Sequence, residues 1–429
     1  MTNADIRSIE RNDVLSKARP QAHAISPRVA RLSSSQKNAI LLAAAEALCT
    51  RAPVILSENA RDVEEGRANG MSESLIDRLS LDEGRIAAMA DGLRQVASLA
   101  DPVGNLVDGR VMPNGIQMRK VRVPLGVMGM VYEARPNVTV DAFGLALKSG
   151  NVALLRGSKS ARYSNSALVR VLQDVLVSHD IPAEAVQLLP CETHESVQDL
   201  ITARGLVDVV IPRGGAGLIE AVVTGATVPT IETGTGNCHF YIDRDVSDID
   251  QAIEMLLNGK TRRCSVCNAT ETVLIDSALP VEAQRKTIDA LQRAGVTVHG
   301  DVDKLGKLGV DNIVQAEEAD WAEEYLSMDI AARTVDGIEG ALEHIRAYST
   351  GHTEAIATGN IVTAQRFADE VDAAAVMINA STAFTDGEQY GMGAEIGIST
   401  QKLHARGPMA LPELTTTKWI LQGTGQTRP

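Results

Sequence analysis

The 429-residue chain is poor in aromatic side chains, with two Trp, six Tyr and four Phe. A core of useful size must then rest on Ala, Val, Leu and Ile, the profile of an α/β protein. Positive charge is also in short supply, and the formal net charge is −14. Nucleic acid and anionic membrane surfaces both call for a basic face, so neither is expected as a partner. An anionic ligand would have to be met by cations clustered locally. No uninterrupted apolar run approaches the roughly 18 residues of a membrane span. The first residues carry charge and no apolar signal core, so no secretory peptide is expected either. Five cysteines, an odd number, point to reduced thiols and a cytoplasmic setting rather than a disulfide framework. No internal repeat or low-complexity block is visible. The dinucleotide fingerprint G-x-G-x-x-G is missing after every strand-like run, which weakens an ordinary Rossmann reading without excluding a nucleotide site. Cys264 and Cys267 form a single C-S-V-C pair with no second pair and no histidine at ligand spacing, so no metal site is expected.

What is present is a 44% hydrophobic, 22% charged chain long enough for two or three domains. Residues 1–30 are polar and read as a loose arm. The spacing of Leu41, Leu42, Ala45 and Leu48 predicts a helix over 33–61, and a second is expected over 72–99. Residues 118–133 read as strand. Helices and strands then alternate in two series, one from 138 to a helix opened by Arg213–Gly217 and one from 247 to 378. Alternation of this kind implies right-handed βαβ units and parallel sheets. A late strand over 416–421 precedes a Gly/Thr/Gln tail.

Cys267 stands out because it occupies a loop between a helical pattern and the strand-like run 271–275. Thiolate is a strong nucleophile toward acyl carbon, and Lys260, Arg262 and Arg263 upstream are placed to depress its pKa. The plain alternative is a small buried residue. Cysteines three apart can also form a disulfide, so Cys264 is a candidate redox switch for Cys267. Two strand-to-helix loops suit an anion: Arg156-Gly157-Ser158-Lys159 and Arg213-Gly214-Gly215. Each alone reads more readily as a turn with solvated basic residues, but two such loops after successive strands shift the balance toward a ligand. Asn137 is either a helix cap or an oxyanion donor. Glu232 is either a general base or a solvated loop carboxylate.

Several stretches together resemble the aldehyde dehydrogenase superfamily, and within it the gamma-glutamyl phosphate reductase family. They are Pro124-Leu-Gly-Val127, Tyr132-Glu-Ala-Arg-Pro-Asn137, Glu232-Thr-Gly-Thr-Gly-Asn-Cys-His239, Ser265-Val-Cys-Asn268, His352-Thr-Glu-Ala355, Asn379-Ala-Ser-Thr382 and Ser399 through Pro408. The resemblance implies two parallel-sheet α/β domains plus a β oligomerisation hairpin, in a homo-oligomer. The implied division is a cofactor-binding domain over 1–104 and 126–255, a catalytic domain over 256–385, an oligomerisation element over 105–125 and 400–421, and a disordered tail over 422–429.

The implied reaction is reduction of gamma-glutamyl phosphate by NADPH to glutamate 5-semialdehyde and phosphate, the second step of proline synthesis from glutamate, with glutamate 5-kinase as the upstream enzyme. By the same resemblance Cys267 is the nucleophile, Asn137 the oxyanion donor and Glu232 the base used elsewhere in the superfamily for thioester hydrolysis. Arg156, Ser158 and Lys159 face the adenosine ribose. A cation at Lys159, where NAD-preferring relatives carry a carboxylate, implies NADPH. Gly214 and Gly215 lie under the pyrophosphate, and Glu324 holds the nicotinamide ribose. Lys402, His404 and Arg406 are candidates for phosphate or carboxylate contact, with a solvated basic strap as the alternative. Ala383 departs from the family pattern, which has arginine there. Two competing readings remain: a non-phosphorylating aldehyde dehydrogenase, and a catalytically weak binding protein on the same fold.

Overall fold

The computed structural model describes residues 17–428; most of the expected N-terminal arm, residues 1–16, lies outside the described residues. The chain forms two compact units. One comprises Met1–Thr233, Met392–Gly397 and Met409–Pro429, the other Gly234–Gly391 and Ile398–Pro408.

The first unit opens with helical residues 17–29, followed by helices Ser34–Thr50, Ala52–Ala68, Glu73–Leu79 and Glu83–Ser98. The expected single helices over 33–61 and 72–99 are each broken in two. Pro53 lies in the first turn of Ala52–Ala68, where its missing N–H costs nothing, but its ring cannot continue the helix before it. Asp82 restarts the second pair by accepting the Arg85 N–H at 2.7 Å.

Strands β1 (Leu106–Val111) and β2 (Gln117–Pro124) form an antiparallel hairpin. The run 118–133, which reads as one strand, is in fact β2 plus β3 (Val127–Tyr132), and the two lie in different sheets. The break falls at Gly126, whose φ of 130° turns the chain. Apolar residues continue through both strands, so the pattern carries no sign of the change of sheet. Helix Asn137–Lys148 buries Val140, Phe143 and Leu147. Each such side chain contributes about 1.5–3 kcal/mol on full burial. β4 (Val152–Arg156), β5 (Val186–Leu188) and β6 (Val209–Arg213) complete a parallel sheet of order β5-β4-β3-β6. The chain steps outward from β3 to β5, then returns past β3 to β6. That reversal opens a crevice at the carboxyl ends of β3 and β6, the usual ligand position in open parallel sheets.

The second unit is a seven-stranded parallel sheet. Its strands are β7 (Cys238–Ile242), β8 (Thr270–Asp276), β9 (Thr297–Gly300), β10 (Val314–Gln315), β11 (Asp329–Val335), β12 (Thr353–Ala357) and β13 (Ala375–Ile378), in the order β10-β9-β11-β8-β7-β12-β13. The expected domain division at 255/256 is displaced to Thr233/Gly234, because β7 pairs with β8 and β12 near the centre of this sheet. β14 (Ile398–Ser399) and β15 (Gly407–Pro408) pair within the second unit, so only the later part of the expected element 400–421 joins the hairpin. That part is β16 (Thr415–Gln422), antiparallel to β2 over its whole length. Gln422 thus belongs to the strand rather than to the tail, and beyond it Gln426 donates a side-chain N–H to the Asn114 carbonyl at 3.1 Å. Among the described residues no single helix is long and apolar enough to cross a membrane.

Candidate active site

In the second unit, helix Ile249–Thr261 starts on Asp248, whose carboxylate accepts the N–H groups of Asp250 and Gln251. It ends in an exposed turn, and Cys267 sits half-buried three residues before β8. The nucleophile candidate therefore lies at the amino edge of the sheet, where Cys238 opens β7 and Thr353 opens β12.

The seat beneath it is built from Gly236-Asn237-Cys238. A Cβ on Gly236 would lie 1.5 Å from the Cys267 carbonyl oxygen, so only glycine admits that approach. The Cys238 thiol donates to the same oxygen at 3.2 Å. The Gly236 N–H donates to Glu324 Oε1 at 2.7 Å, and Asn237 Nδ2 donates to the carbonyls of Trp321 and Tyr348 at 2.8 and 3.0 Å. Next to Cys267, Asn268 Nδ2 donates to the carbonyls of Ala383 and Thr385 at 3.3 and 3.0 Å. At Ala383 it is thus the backbone that supports the loop, whatever side chain stands there. The motifs around Gly236, Cys267 and Thr382 are parts of one assembly. Their roles as a seat are not readable from spacing, since they are joined by strand pairing.

The electrostatics differ from expectation. Lys260 was expected to act on the thiol, but its side chain is fully buried and donates to Glu271 Oε2 at 2.5 Å. Its charge is offset inside the core, leaving Arg262 and Arg263 as the exposed cations of the turn. Burial pushes Glu271 up to about 7, against the pull of the Lys260 ammonium. Glu324 is also raised by burial, partly countered by the Gly236 N–H. No disulfide joins the described cysteines, Cys264 and Cys267 included. Lys402 and Arg406 both bind Asp372, each at 2.6 Å, and the hydrogen bond from Arg406, with that from Lys402 next, lowers the Asp372 carboxyl to about 2. His404 lies between them with a φ of 70°. The basic run is thus a strap tied at both ends to one carboxylate.

In the first unit, Asn137 is the first residue of its helix, and Pro136 occupies the cap position without a side-chain bond. The capping role is excluded. The exposed Asn137 amide instead donates one N–H to Asp141 Oδ2 at 3.1 Å, which leaves the second for another acceptor. Arg156 is buried, donating to Ser196 Oγ at 3.2 Å and the Thr193 carbonyl at 2.8 Å. It braces the loop at 193–196. Ser158 accepts the Ser160 N–H at 3.2 Å, and Lys159 is exposed with no ion-pair partner among the described residues. Glu232 is half-buried on a segment that runs beside β6, where the Ile231 N–H donates to the Val210 carbonyl.

Sequence reasoning passed over Glu133. It follows β3 at the sheet's reversal point, and its carboxylate accepts the Gly215 N–H at 2.9 Å where helix Ala216–Gly225 begins. A Cβ on Gly214 would meet that carboxylate at 2.7 Å. The carboxylate takes an N–H at a helix start, the position where an anionic group is favoured. With the exposed Lys159, these residues fit a phosphate-bearing cofactor.

The sequence profile of the Aldehyde dehydrogenase family matches residues 2–332. The chain belongs to the aldehyde dehydrogenase family. Enzymes of this family use a nicotinamide cofactor. Among solved structures, gamma-glutamyl phosphate reductase from Thermotoga maritima is 42% identical, with 97% of this chain and 100% of that chain covered and a TM-score of 0.94. Gamma-glutamyl phosphate reductase from Saccharomyces cerevisiae is 28% identical over 97% and 98%, with a TM-score of 0.54. An acetylating aldehyde dehydrogenase from Geobacillus thermoglucosidasius shares the fold at 17% identity and a TM-score of 0.70, with both chains fully covered.

Proposed function

We propose that the protein reduces gamma-glutamyl phosphate to glutamate 5-semialdehyde and phosphate, with NADPH as reductant. The observation that carries this reading is the 42% identity, over the full length of the other chain, to the Thermotoga maritima gamma-glutamyl phosphate reductase. Cys267 is the nucleophile: its thiolate attacks the acyl carbon, the C–O bond to phosphate breaks, and a thioester remains. Asn137 supplies an N–H to the oxygen that gathers charge in that step, a contribution typically worth about 2.7–4 kcal/mol. Bound nicotinamide supplies the hydride that reduces the thioester carbon. The resulting hemithioacetal collapses, its hydroxyl proton is lost, and the aldehyde leaves Cys267 as thiolate. Gly214 and Gly215 would hold the cofactor's phosphates, Lys159 the ribose 2′-phosphate that distinguishes NADPH, Ser158 the ribose beside it, and Glu324 the nicotinamide ribose. Arg156 would act there through the loop it braces. Glu232 has no hydrolytic step to serve in a reductase. Lys402, His404 and Arg406 stay candidates for an anionic group of the substrate, in competition with Asp372 for the two outer residues.

The reading places the protein in the cytoplasm, downstream of a glutamate 5-kinase, because an acyl phosphate is hydrolysed readily and must be made nearby. It also implies a homo-oligomer. β1 is exposed along its whole length, with Leu106, Val107 and Val111 among its open apolar residues, and such an edge is normally covered. The deciding experiment runs the reaction backward. Glutamate 5-semialdehyde should reduce NADP only when inorganic phosphate is present, and Cys267→Ala should be inert. Phosphate-independent formation of free glutamate would mean a non-phosphorylating dehydrogenase; no turnover at all would mean a binding protein.

A further inference from the structure

Cys238 has no part in the chemistry above, yet it touches the nucleophile's own peptide. It opens β7 with its side chain fully buried. Its Sγ lies 3.2 Å from the Cys267 carbonyl oxygen and 3.8 Å from His352 Nδ1. His352 Nδ1 is also 2.8 Å from Thr353 Oγ1, and that hydroxyl donates to Thr385 Oγ1 at 2.9 Å. The Thr385 carbonyl in turn accepts from Asn268, the residue after the nucleophile. A closed circuit thus runs from the Cys267 carbonyl through Cys238, His352, Thr353 and Thr385 back to Asn268.

The protonation states suit a donor at Cys238. Burial, with the Glu354 carboxylate next, pushes its thiol well above the ordinary range, so the proton stays on sulfur. Burial likewise pushes His352 down to about 4, so it is neutral near pH 7 and forms no thiolate–imidazolium pair. The plain alternative is a small apolar residue filling the core, which is what buried cysteine usually is. That alternative does not explain why the same carbonyl oxygen is met on another side by Gly236, with no room for a Cβ.

We infer that Cys238 is a positioning residue for Cys267, its S–H holding the nucleophile's carbonyl and so fixing the peptide that carries the reactive thiol. The inference rests on reading Cys267 as the nucleophile. An S–H bond is weak, so its effect lies in geometry and local charge rather than in stability. Without the donor, the carbonyl's negative end is uncompensated beside the thiolate, which raises the Cys267 pKa. The peptide also gains freedom on a scale where a 1 Å misplacement costs about 100-fold in rate.

The test compares Cys238→Val, of similar volume without a donor, with Cys238→Ser, which keeps one, both in a Cys264→Ser background. Two readouts are taken: kcat and KM for the phosphate-dependent reverse reaction, and the pH profile of Cys267 alkylation by iodoacetamide, followed by mass spectrometry of its peptide. In Cys238→Val, kcat should fall about ten-fold with KM changed less than about two-fold, a sub-ångström effect. Its alkylation profile should move upward by about half a pH unit. Cys238→Ser should restore both. Wild-type kcat and an unmoved profile in Cys238→Val, or a serine variant no better than valine, would overturn the inference. Cys238→Ala replaces the valine variant if overpacking prevents folding. If wild type shows no turnover but the alkylation profiles separate as described, the proposed reaction fails while the role of Cys238 stands.

Discussion

Gly236→Ala is the sharpest test of how Cys267, the proposed nucleophile, is held. Gly236 does not have a φ in the left-handed region, so alanine could adopt its backbone without strain. The objection is purely one of space. The added methyl would lie 1.5 Å from the Cys267 oxygen, 2.4 Å from its carbonyl carbon and 2.8 Å from its Cα. Contact at van der Waals distance requires a retreat of about 2 Å. The Gly236 side cannot supply it, because its N–H is bonded to Glu324 and Asn237 is bonded to the Trp321 and Tyr348 carbonyls. The half-exposed turn carrying Cys267 must therefore give way.

At about 100-fold per ångström for a misplaced reacting group, kcat should fall by at least about 100-fold. The overpacking cost to stability, about 1–3 kcal/mol, should leave a two-unit chain of this size folded. The measurements are kcat in the phosphate-dependent reverse assay and the denaturant midpoint. Gly306→Ala, whose Cβ meets nothing within 4 Å, is the control and should behave as wild type. A folded Gly236→Ala enzyme retaining more than about half of the wild-type kcat would refute the argument that this glycine seats the nucleophile.

Lys159→Glu should weaken NADP by about 10- to 100-fold in KM, the scale of one charge-assisted contact, and improve NAD; an unchanged NADP/NAD ratio removes Lys159 from the site. Asp141 gives a pH prediction, since burial raises its carboxyl from 3.8 to about 6. A raised folded pKa means that this group favours the folded state below pH 4 and that the benefit is lost as pH rises through 6. Activity should run the other way, falling as acid removes the charged acceptor of the Asn137 amide. Asp141→Asn should abolish both dependences around pH 6, read by kcat–pH and stability–pH profiles, and a wild-type slope in that variant would exclude Asp141 as the titrating group.

How far the site was legible depends on whether its causes are local. Cys267 stood out because a cysteine among arginines in a helix-to-strand loop is a local feature. Its seat did not, because Gly236 and Cys238 reach it only through the pairing of β7 beside β8, and register is not written in composition. β7 itself was missed: Cys238-His-Phe-Tyr-Ile242 is wholly buried, yet a histidine at its second position reads as polar. The partner of Lys260 is hidden in the sequence for a related reason. Lys260 lies eleven positions before Glu271, and only the turn between helix and strand brings the two into a buried pair. Helix breaks at Pro53 and Asp82 were legible in principle, since proline and cap signals are local, but apolar periodicity ran through them. Asn137 carried two readings until the cap position fell to Pro136.

On the proposed reading, Glu133 sets a condition on cofactor binding. A dinucleotide phosphate that takes the Gly215 N–H has to displace a carboxylate already bonded there at 2.9 Å. Leaving Glu133 in place would put like charges side by side at one helix start, where the macrodipole favours a single anion by only about 0.3–1 kcal/mol. The carboxylate must therefore swing away, and the affinity observed is reduced by the fraction of molecules in which it has done so. The same arrangement would favour departure, because the carboxylate could return to its N–H as the cofactor leaves. On the same reading Lys159 would offset the cost from the other loop, as an exposed cation with no ion-pair partner among the described residues. On the proposed reading, a carboxylate that competes for the Gly215 N–H suits a cofactor exchanged at each turnover rather than one held permanently.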